Sequence, residues 1–136
     1  MNANGGIAKE VSRLSVRDGL TTDILLEVNI GREENKSGVL PENLEELLGI
    51  VSKMPNVCVK GLMAIPPADA QPKETFAYFT KMRQYFVDIS TKKIDNVNMQ
   101  LLSMGMSADY PMAIEAGANM VRVGSALFGA RDYSKK

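Results

Sequence analysis

Apolar runs of strand length alternate along the chain with segments in which apolar residues recur every three or four positions. The runs predict strands at residues 23–30, 57–65, 99–103 and 120–123, because short blocks of branched apolar residues are typical of buried strands. Each predicted strand leads into a helical segment or a short turn. Four strand-then-helix units in succession predict an α/β fold with a parallel sheet and right-handed crossovers.

The helical segments carry their apolar residues on one face, as amphipathic helices do. In residues 41–54, which begin with Pro41, the stripe consists of Leu44, Leu47, Leu48 and Val51. In residues 75–89 the predicted buried side consists of Phe76, Phe79, Met82, Phe86 and Ile89. Residues 108–116 predict a short helix that ends at Gly117, and residues 125–130 predict a last turn.

The beginning of the chain is less regular. Ile7, Val11 and Leu14 have the spacing of a leading helix, whereas residues 1–6 predict disordered or foreign sequence. We therefore expect a leading segment at residues 1–22 and one domain at residues 23–136.

Two segments place glycine and hydroxyl residues directly after predicted strands. The first is SMGMS at residues 103–107, and the second is RVGS at residues 122–125. Backbone N–H groups that open a helix lack internal partners, and the peptide dipoles add partial positive charge there, so both places favour an anion. For SMGMS alone a tight turn with a serine cap is the better interpretation. The second segment reverses that preference and predicts one phosphate held between the two.

The composition restricts the class of protein. The chain has 136 residues with 45% hydrophobic content, enough for one domain, and 16 basic residues balance 16 acidic ones, which argues against a nucleic acid or a membrane as partner. The single cysteine, Cys58, and a start without an apolar leader predict a cytoplasmic protein. No histidine is present, so a metal site is not expected.

The position of the two anion loops bears on the type of sheet. Ligands lie at the carboxyl ends of the strands in doubly wound sheets and in barrels alike, but a phosphate site after the last two strands is typical of the eight-stranded barrel. A full barrel takes roughly 200 residues or more. We therefore expect four βα units that form half of a (β/α)8 barrel.

Three longer segments carry a resemblance to a known family. They are LLEVNIGREENKSG, VKGLMAIPP and LSMGMSADYPMAIEAGANMVRVGSALFGAR, and their order and spacing resemble those of the pyridoxal 5′-phosphate (PLP) homeostasis proteins, the YggS/PROSC family. The resemblance implies the barrel of the alanine racemase N-terminal domain. From residue 23 onwards the chain is similar to the C-terminal half of that barrel, strands five to eight.

The resemblance also implies a cofactor site for PLP. The phosphate would be held by backbone N–H groups and hydroxyls of Ser103, Gly105, Ser107, Gly124 and Ser125.

Arg122 would face the pyridine nitrogen of PLP in the same pattern. A protonated arginine keeps that nitrogen unprotonated and weakens the ring as an electron sink, because neighbouring cations repel. The alternative is that Arg122 forms an ordinary surface ion pair.

One part of the family pattern is missing. The lysine that forms the internal aldimine lies in an AVSKTKP-like segment, and a GENYVQE-like segment packs against the cofactor; neither is present here. Lys36 and Lys60 occupy other positions of the pattern, so the resemblance implies no covalent link to PLP in this chain.

These observations favour a noncatalytic carrier in PLP homeostasis over an enzyme. A PLP-dependent racemase-like enzyme would need the missing lysine and an opposing acid or base, and Tyr110 and Tyr133 lie in no racemase-like motif. Binding of another phosphorylated metabolite stays open, because the phosphate loops are generic.

A half barrel exposes unpaired strand edges and an apolar sheet face, and both favour association. We therefore expect the chain to pair with a second copy or with the missing N-terminal half.

Overall fold

The computed structural model describes residues 2–34, 38–106 and 109–122, in which strands and helices alternate. The strands are β1 (Asn2–Ala3), β2 (Thr22–Glu27), β3 (Val57–Ala64), β4 (Val97–Met106) and β5 (Met120–Arg122). The helices are α1 (Gly5–Asp18), α2 (Leu44–Ser52), α3 (Pro72–Ser90) and α4 (Tyr110–Glu115), and a 3₁₀ turn at Pro41–Asn43 precedes α2. The chain is an α/β protein, as the apolar pattern predicts.

The strands form one parallel sheet in the order β1-β2-β3-β4-β5. Leu26 of β2 lies opposite Leu62 of β3, which in turn lies opposite Leu102 of β4. Each strand therefore pairs with the strand that precedes it in the chain. A doubly wound sheet reverses its order at a switch point, and the described strands contain no such reversal.

The core lies between one face of the sheet and the helices. Successive strand side chains point to opposite faces, so alternate residues of each strand reach this core. Its largest completely buried side chains are Ile24, Leu26, Leu48, Leu62, Phe79, Met82, Leu102 and Met104. Leu25 and Met63 are also buried but lie outside this cluster. Their places in the alternation put them toward the opposite face of the sheet.

The first residues do not have the disorder that the sequence predicts for residues 1–6. Asn2 and Ala3 pair with Leu25 and Leu26 of β2, and Asn4 caps α1 by accepting a 3.0 Å hydrogen bond from the Ile7 amide. This cap satisfies one of the free N–H groups of the first helical turn. The regular structure of these residues comes from strand pairing and helix capping, neither of which is indicated by a glycine-rich composition.

The third helix begins earlier than predicted. Pro72 occupies its first turn, and the Glu74 carboxylate accepts a 3.0 Å hydrogen bond from the Gln71 amide, as in a capping box. The predicted inner position of Phe76 is wrong: Phe76 is 38% exposed, whereas Thr75 is only 8% exposed. The buried face of α3 therefore begins at Thr75 and not at Phe76.

The other boundaries differ by a few residues. The helix predicted at 41–54 is divided into the 3₁₀ turn and α2, and the helix predicted at 108–116 is found as the shorter α4. The strand predicted at 120–123 is found as β5, and the turn predicted at 125–130 lies outside the described residues. None of the helices within the described ranges combines the length and apolarity needed to cross a bilayer.

Candidate functional site

The last two strands end side by side at the carboxyl edge of the sheet. Ser103 lies opposite Met120, and Met106 lies opposite Arg122, in parallel pairing. The chain leaves both strands at this edge, so the two segments expected to bind phosphate begin from neighbouring strand ends. Arg122 is the last residue of β5 and thus lies in the strand next to Ser103 and Gly105.

A β-bulge interrupts β4 at this edge. Between the paired positions β4 advances from Ser103 to Met106, whereas β5 advances only from Met120 to Arg122, so β4 contains one extra residue. Gly105 lies in this bulge with a φ of 97°, a conformation that glycine adopts without the steric cost of a Cβ atom. A bulge leaves a residue unpaired in the ladder and often re-aims the backbone beside a functional site. Here the bulge lies between Ser103 and Met106, within the segment that the sequence predicts to bind phosphate.

Gly105 lies in strand β4 and not in the loop that the sequence predicts, whereas Ser103 lies in a strand as predicted. Strand β4 continues to Met106, and Ser103 is 2% exposed with Met63 of β3 beside it. The predicted end of this strand at residue 103 is wrong because pairing with β5 extends it.

The remaining predicted site residues lie outside the described part of the chain. They are Ser107, Gly124 and Ser125, and Lys36 of the earlier loop lies outside it as well. The structure therefore brings together the strand positions of Ser103, Gly105 and Arg122, and the hydroxyl loops stay predictions.

Asn119 holds β4 and β5 together ahead of their first paired residues. Its Oδ1 accepts a 2.7 Å hydrogen bond from the Leu102 amide, and its Nδ2 donates a 2.7 Å hydrogen bond to the Gln100 carbonyl. The side-chain amide of Asn119 thus makes the pair of hydrogen bonds that the backbone of a neighbouring strand would make. Asn119 is not among the site residues that the sequence predicts; its only local signal is a polar side chain between the turn at Gly117 and the apolar strand.

The loops after β2 and β3 pack against each other at the same edge. A Cβ atom on Gly31 would lie 2.5 Å from Cγ of Pro67, so only glycine fits beside this proline. The Asn29 amide closes the first loop, since its Nδ2 donates to the Glu33 carbonyl at 2.8 Å and its Oδ1 accepts from the Glu33 amide at 3.1 Å. These contacts give the edge a fixed shape next to the bulge.

An ion pair fixes the outer part of the first loop. Arg32 Nη1 lies 2.6 Å from Glu42 Oε1. The Glu42 carboxylate accepts a hydrogen bond from the backbone amide of Glu42 itself and another from Arg32. Both interactions hold the pKa of this carboxyl below its usual value.

Cys58 is half-buried. Within the described ranges no three acidic or cysteine side chains converge as a metal ion would require.

Comparison with known proteins shows the family of the chain. The family model described as alanine racemase, N-terminal domain, matches residues 5–132. A protein of Aquifex aeolicus named pyridoxal phosphate homeostasis protein is 44% identical over 127 residues, which cover 93% of this chain and 55% of the relative. The chain thus spans about half the length of the curated relatives it matches.

Solved structures agree with this likeness. PipY of Synechococcus elongatus PCC7942 with PLP bound is 30% identical, has a TM-score of 0.77, and matches over 91% of this chain and 57% of that chain. An alanine racemase of Clostridium difficile in complex with cycloserine is 14% identical with a TM-score of 0.70, over 96% of this chain and 35% of that chain. At this identity the second likeness concerns the fold alone.

Proposed function

Because the chain belongs to the alanine racemase N-terminal domain family, we propose that it binds PLP at the carboxyl ends of β4 and β5 and acts in PLP homeostasis as a carrier without catalysis of its own. The names of its curated relatives and the PLP bound to PipY support the choice of ligand. The name homeostasis protein, rather than that of an enzyme, supports the carrier role.

The observation that carries the proposal is the bulge at Gly105 between two parallel strand ends. Backbone N–H groups that are released from a ladder bind a phosphate without a charged side chain. Ser103 and Gly105 would contribute from β4, and Ser107, Gly124 and Ser125 from the segments that follow the two strands. The donors in the described part of the site, peptide N–H groups and one hydroxyl, fit a phosphate ester.

We propose that Arg122 faces the pyridine nitrogen of the cofactor. When bound, PLP supplies an electron sink for chemistry at an attached amine. A guanidinium stays protonated at all ordinary pH values, so its neighbour is held unprotonated and the sink is weakened. This role of Arg122 suits a protein that holds PLP and does not use it.

We propose further that β2 to β5 correspond to strands five to eight of a barrel, with residues 23–136 as its C-terminal half. The consecutive order of the sheet supports this, since a barrel is built from consecutive parallel strands. Strand β1 adds a fifth strand before the four that the sequence predicts. The two outer edges of the sheet would then meet a second copy of the chain or the other half of the barrel.

A cytoplasmic location remains a prediction that rests on composition. The absence of a covalent link to PLP is also a prediction, and it rests on the missing lysine segment.

The test is a titration of the chain with PLP, followed by absorbance, reduction with borohydride and mass analysis. Saturable binding with no mass increase after reduction is the expected result. A reduced adduct on one lysine would contradict the noncovalent carrier. Binding of inorganic phosphate or another phosphate ester with the affinity of PLP would favour a different phosphorylated metabolite.

A further inference from the structure

Strand β5 carries Arg122 and is short in the described part of the chain. There it pairs with β4 at Met120 and at Arg122, and the bulge at Gly105 lies between the two paired positions. A slip of one residue sends every side chain of a strand to the other face of the sheet. The face to which Arg122 belongs therefore depends on what fixes the register of β5.

Asn119, which comes just before β5, is bound to β4 through its side chain and its backbone. Its Oδ1 accepts a 2.7 Å hydrogen bond from the Leu102 amide, and its own amide donates a 3.2 Å hydrogen bond to the Leu102 carbonyl. Its Nδ2 donates a further bond, of 2.7 Å, to the Gln100 carbonyl. A shift of β5 by one residue along β4 would break all of these bonds, so Asn119 favours a single register.

The strand to which Asn119 is bound is itself fixed by the core. The Leu102 side chain is completely buried, and Leu102 lies opposite Leu62 of β3. A strand with one buried face cannot slip without moving its apolar residues to the other face, so β4 keeps its place. Asn119 thus ties β5 to a strand whose register the core determines.

The turn before Asn119 is also held on two sides. Gly117 has a φ of 114°, and a Cβ atom there would lie 2.7 Å from Cδ of Arg83 on α3. The Ala118 amide donates a 2.9 Å hydrogen bond to the Ala113 carbonyl of α4. The chain therefore reaches Asn119 from a turn that packs against α3 and is bound to α4.

Two other strands are also preceded by an asparagine, but with different partners. Asn56 precedes β3, and its Nδ2 donates a 2.7 Å hydrogen bond to the Leu20 carbonyl. Asn96 precedes β4, and its Nδ2 donates a 2.9 Å hydrogen bond to the Ser52 carbonyl. Neither acceptor belongs to a strand, whereas both side-chain bonds of Asn119 go to β4. The bonds of Asn119 are therefore the ones that bear on the pairing of two strands.

We propose that Asn119 is a positioning residue, which sets the register of β5 on β4 and thereby places Arg122 for the pyridine nitrogen of PLP. Three residues of extended chain, roughly 10 Å, separate Asn119 from Arg122, so Asn119 acts through the strand and not by contact with the cofactor. The role of Arg122 in this inference rests on the proposed function, whereas the register of β5 does not.

The register is tested on the PLP-free chain by NMR, from cross-strand contacts between backbone protons of β4 and β5. One alanine is inserted between Asn119 and Met120. Because Asn119 should keep its place on β4, we expect Met106 to lie opposite Val121 in this variant instead of Arg122. Continued pairing of Met106 with Arg122 would mean that β5 sets its own register, and would overturn the inference.

Substitution gives a second measurement on the PLP-free chain. Asn119→Ala should lose the contact between Met106 and Arg122, because its side chain no longer holds β4. Asn56→Gly is the matched control, since it removes the bond to the Leu20 carbonyl and suits a φ of 62°; it should keep the contact. Circular dichroism shows that each variant is folded. An unchanged contact in Asn119→Ala, or an equal loss in both variants, overturns the inference.

The consequence for the cofactor is measured as the pKa of the ring nitrogen, by nitrogen NMR on bound PLP that is labelled in the ring. Arg122→Gln should raise this pKa by about 1–3, because a neighbouring cation disfavours protonation. Asn119→Ala should raise the pKa as well, and Asn56→Gly should not. A rise in Arg122→Gln without one in Asn119→Ala would overturn the positioning role.

Failure of the proposed function would look different. Absence of PLP binding, or an unchanged ring-nitrogen pKa in Arg122→Gln, would contradict the role of Arg122 at a PLP site. The register of β5 would still be decided by the measurements on the PLP-free chain.

Discussion

Gly61 of β3 and Leu101 of β4 lie so close together that a Cβ atom on Gly61 would be 1.8 Å from the Leu101 carbonyl oxygen. The two residues are register partners, and the pairing of β3 with both of its neighbours shifts next to Gly61. The close approach of the two backbones therefore depends on the missing side chain.

We expect Gly61→Ala to lower the free energy of unfolding by about 1–3 kcal/mol or more, because the strands must move apart to admit a methyl group. Urea denaturation measures the change. Gly49→Ala in α2 is the matched control, since its Cβ would meet no atom within 4 Å; there alanine should stabilise by about 0.5–1 kcal/mol. Equal effects of the two substitutions would show that the 1.8 Å approach does not exist.

A pair of phenylalanines on α3 tests the position of the core. Phe79 is completely buried and Phe76 is 38% exposed. Phe79→Ala should cost about 3–5 kcal/mol of unfolding free energy through lost burial and a cavity, and Phe76→Ala should cost about 1 kcal/mol or less. Thermal or urea unfolding of both variants decides this. A larger loss in Phe76→Ala would mean that Phe76 lies in the core, as the sequence predicts.

The amide of Asn119 tests how β4 and β5 are joined. Asn119→Ala leaves the Leu102 amide and the Gln100 carbonyl without their side-chain partner, and we expect a loss of about 1–3 kcal/mol. Asn119→Asp keeps the acceptor for Leu102 and should lose less. Hydrogen exchange at the Leu102 amide gives a local readout, and unchanged protection in Asn119→Ala would rule out the bond.

Gly105 tests the proposed PLP site. Gly105→Ala strains a residue whose φ is 97°, so the bulge should rearrange and PLP affinity should fall about tenfold, as for lost hydrogen bonds to a charged group. Gly19→Ala carries the same kind of strain at a φ of 68°, at the end of α1. It should destabilise the fold and leave PLP affinity unchanged; an equal loss of affinity would point to general unfolding.

An ion pair on α1 gives a small pH effect. A hydrogen bond from Arg13 lowers the pKa of the Glu10 carboxyl. Because the folded-state pKa lies below the unfolded value of about 4.5, the stabilisation is present above that pH and is lost as the pH falls through the folded-state pKa. Glu10→Gln should therefore melt slightly below the unchanged chain at pH 7 and together with it at the lowest pH. The pair is exposed, so added salt should reduce the difference at pH 7.

Much of the fold is predictable because its signals are local. The apolar runs around Ile24 and Val59 and the spacing of Phe79, Met82 and Phe86 each depend on a few neighbouring residues. The end of β4 is different: whether Met104 and Gly105 extend the strand or open a loop depends on pairing with β5. Local periodicity does not encode that partner.

The same reason explains two other differences. Asn2 and Ala3 have no intrinsic preference for a strand and acquire one by pairing with β2. Thr75 and Phe76 both fit the helical spacing of the inner face, and only its apolar side chain favours Phe76 as the inner residue. At the site, the sequence indicates which residues to consider, whereas the hydrogen bonds of the Asn119 side chain depend on segments that meet only in the folded chain.

The one-after-another arrangement of the strands has a consequence for assembly. Each described strand after β1 pairs with the strand one helix earlier in the chain, so none of these pairings has to wait for a distant segment, and the loops closed at each step stay short. Such a chain can add one strand at a time to the edge of the sheet, in the order in which the ribosome synthesises the strands.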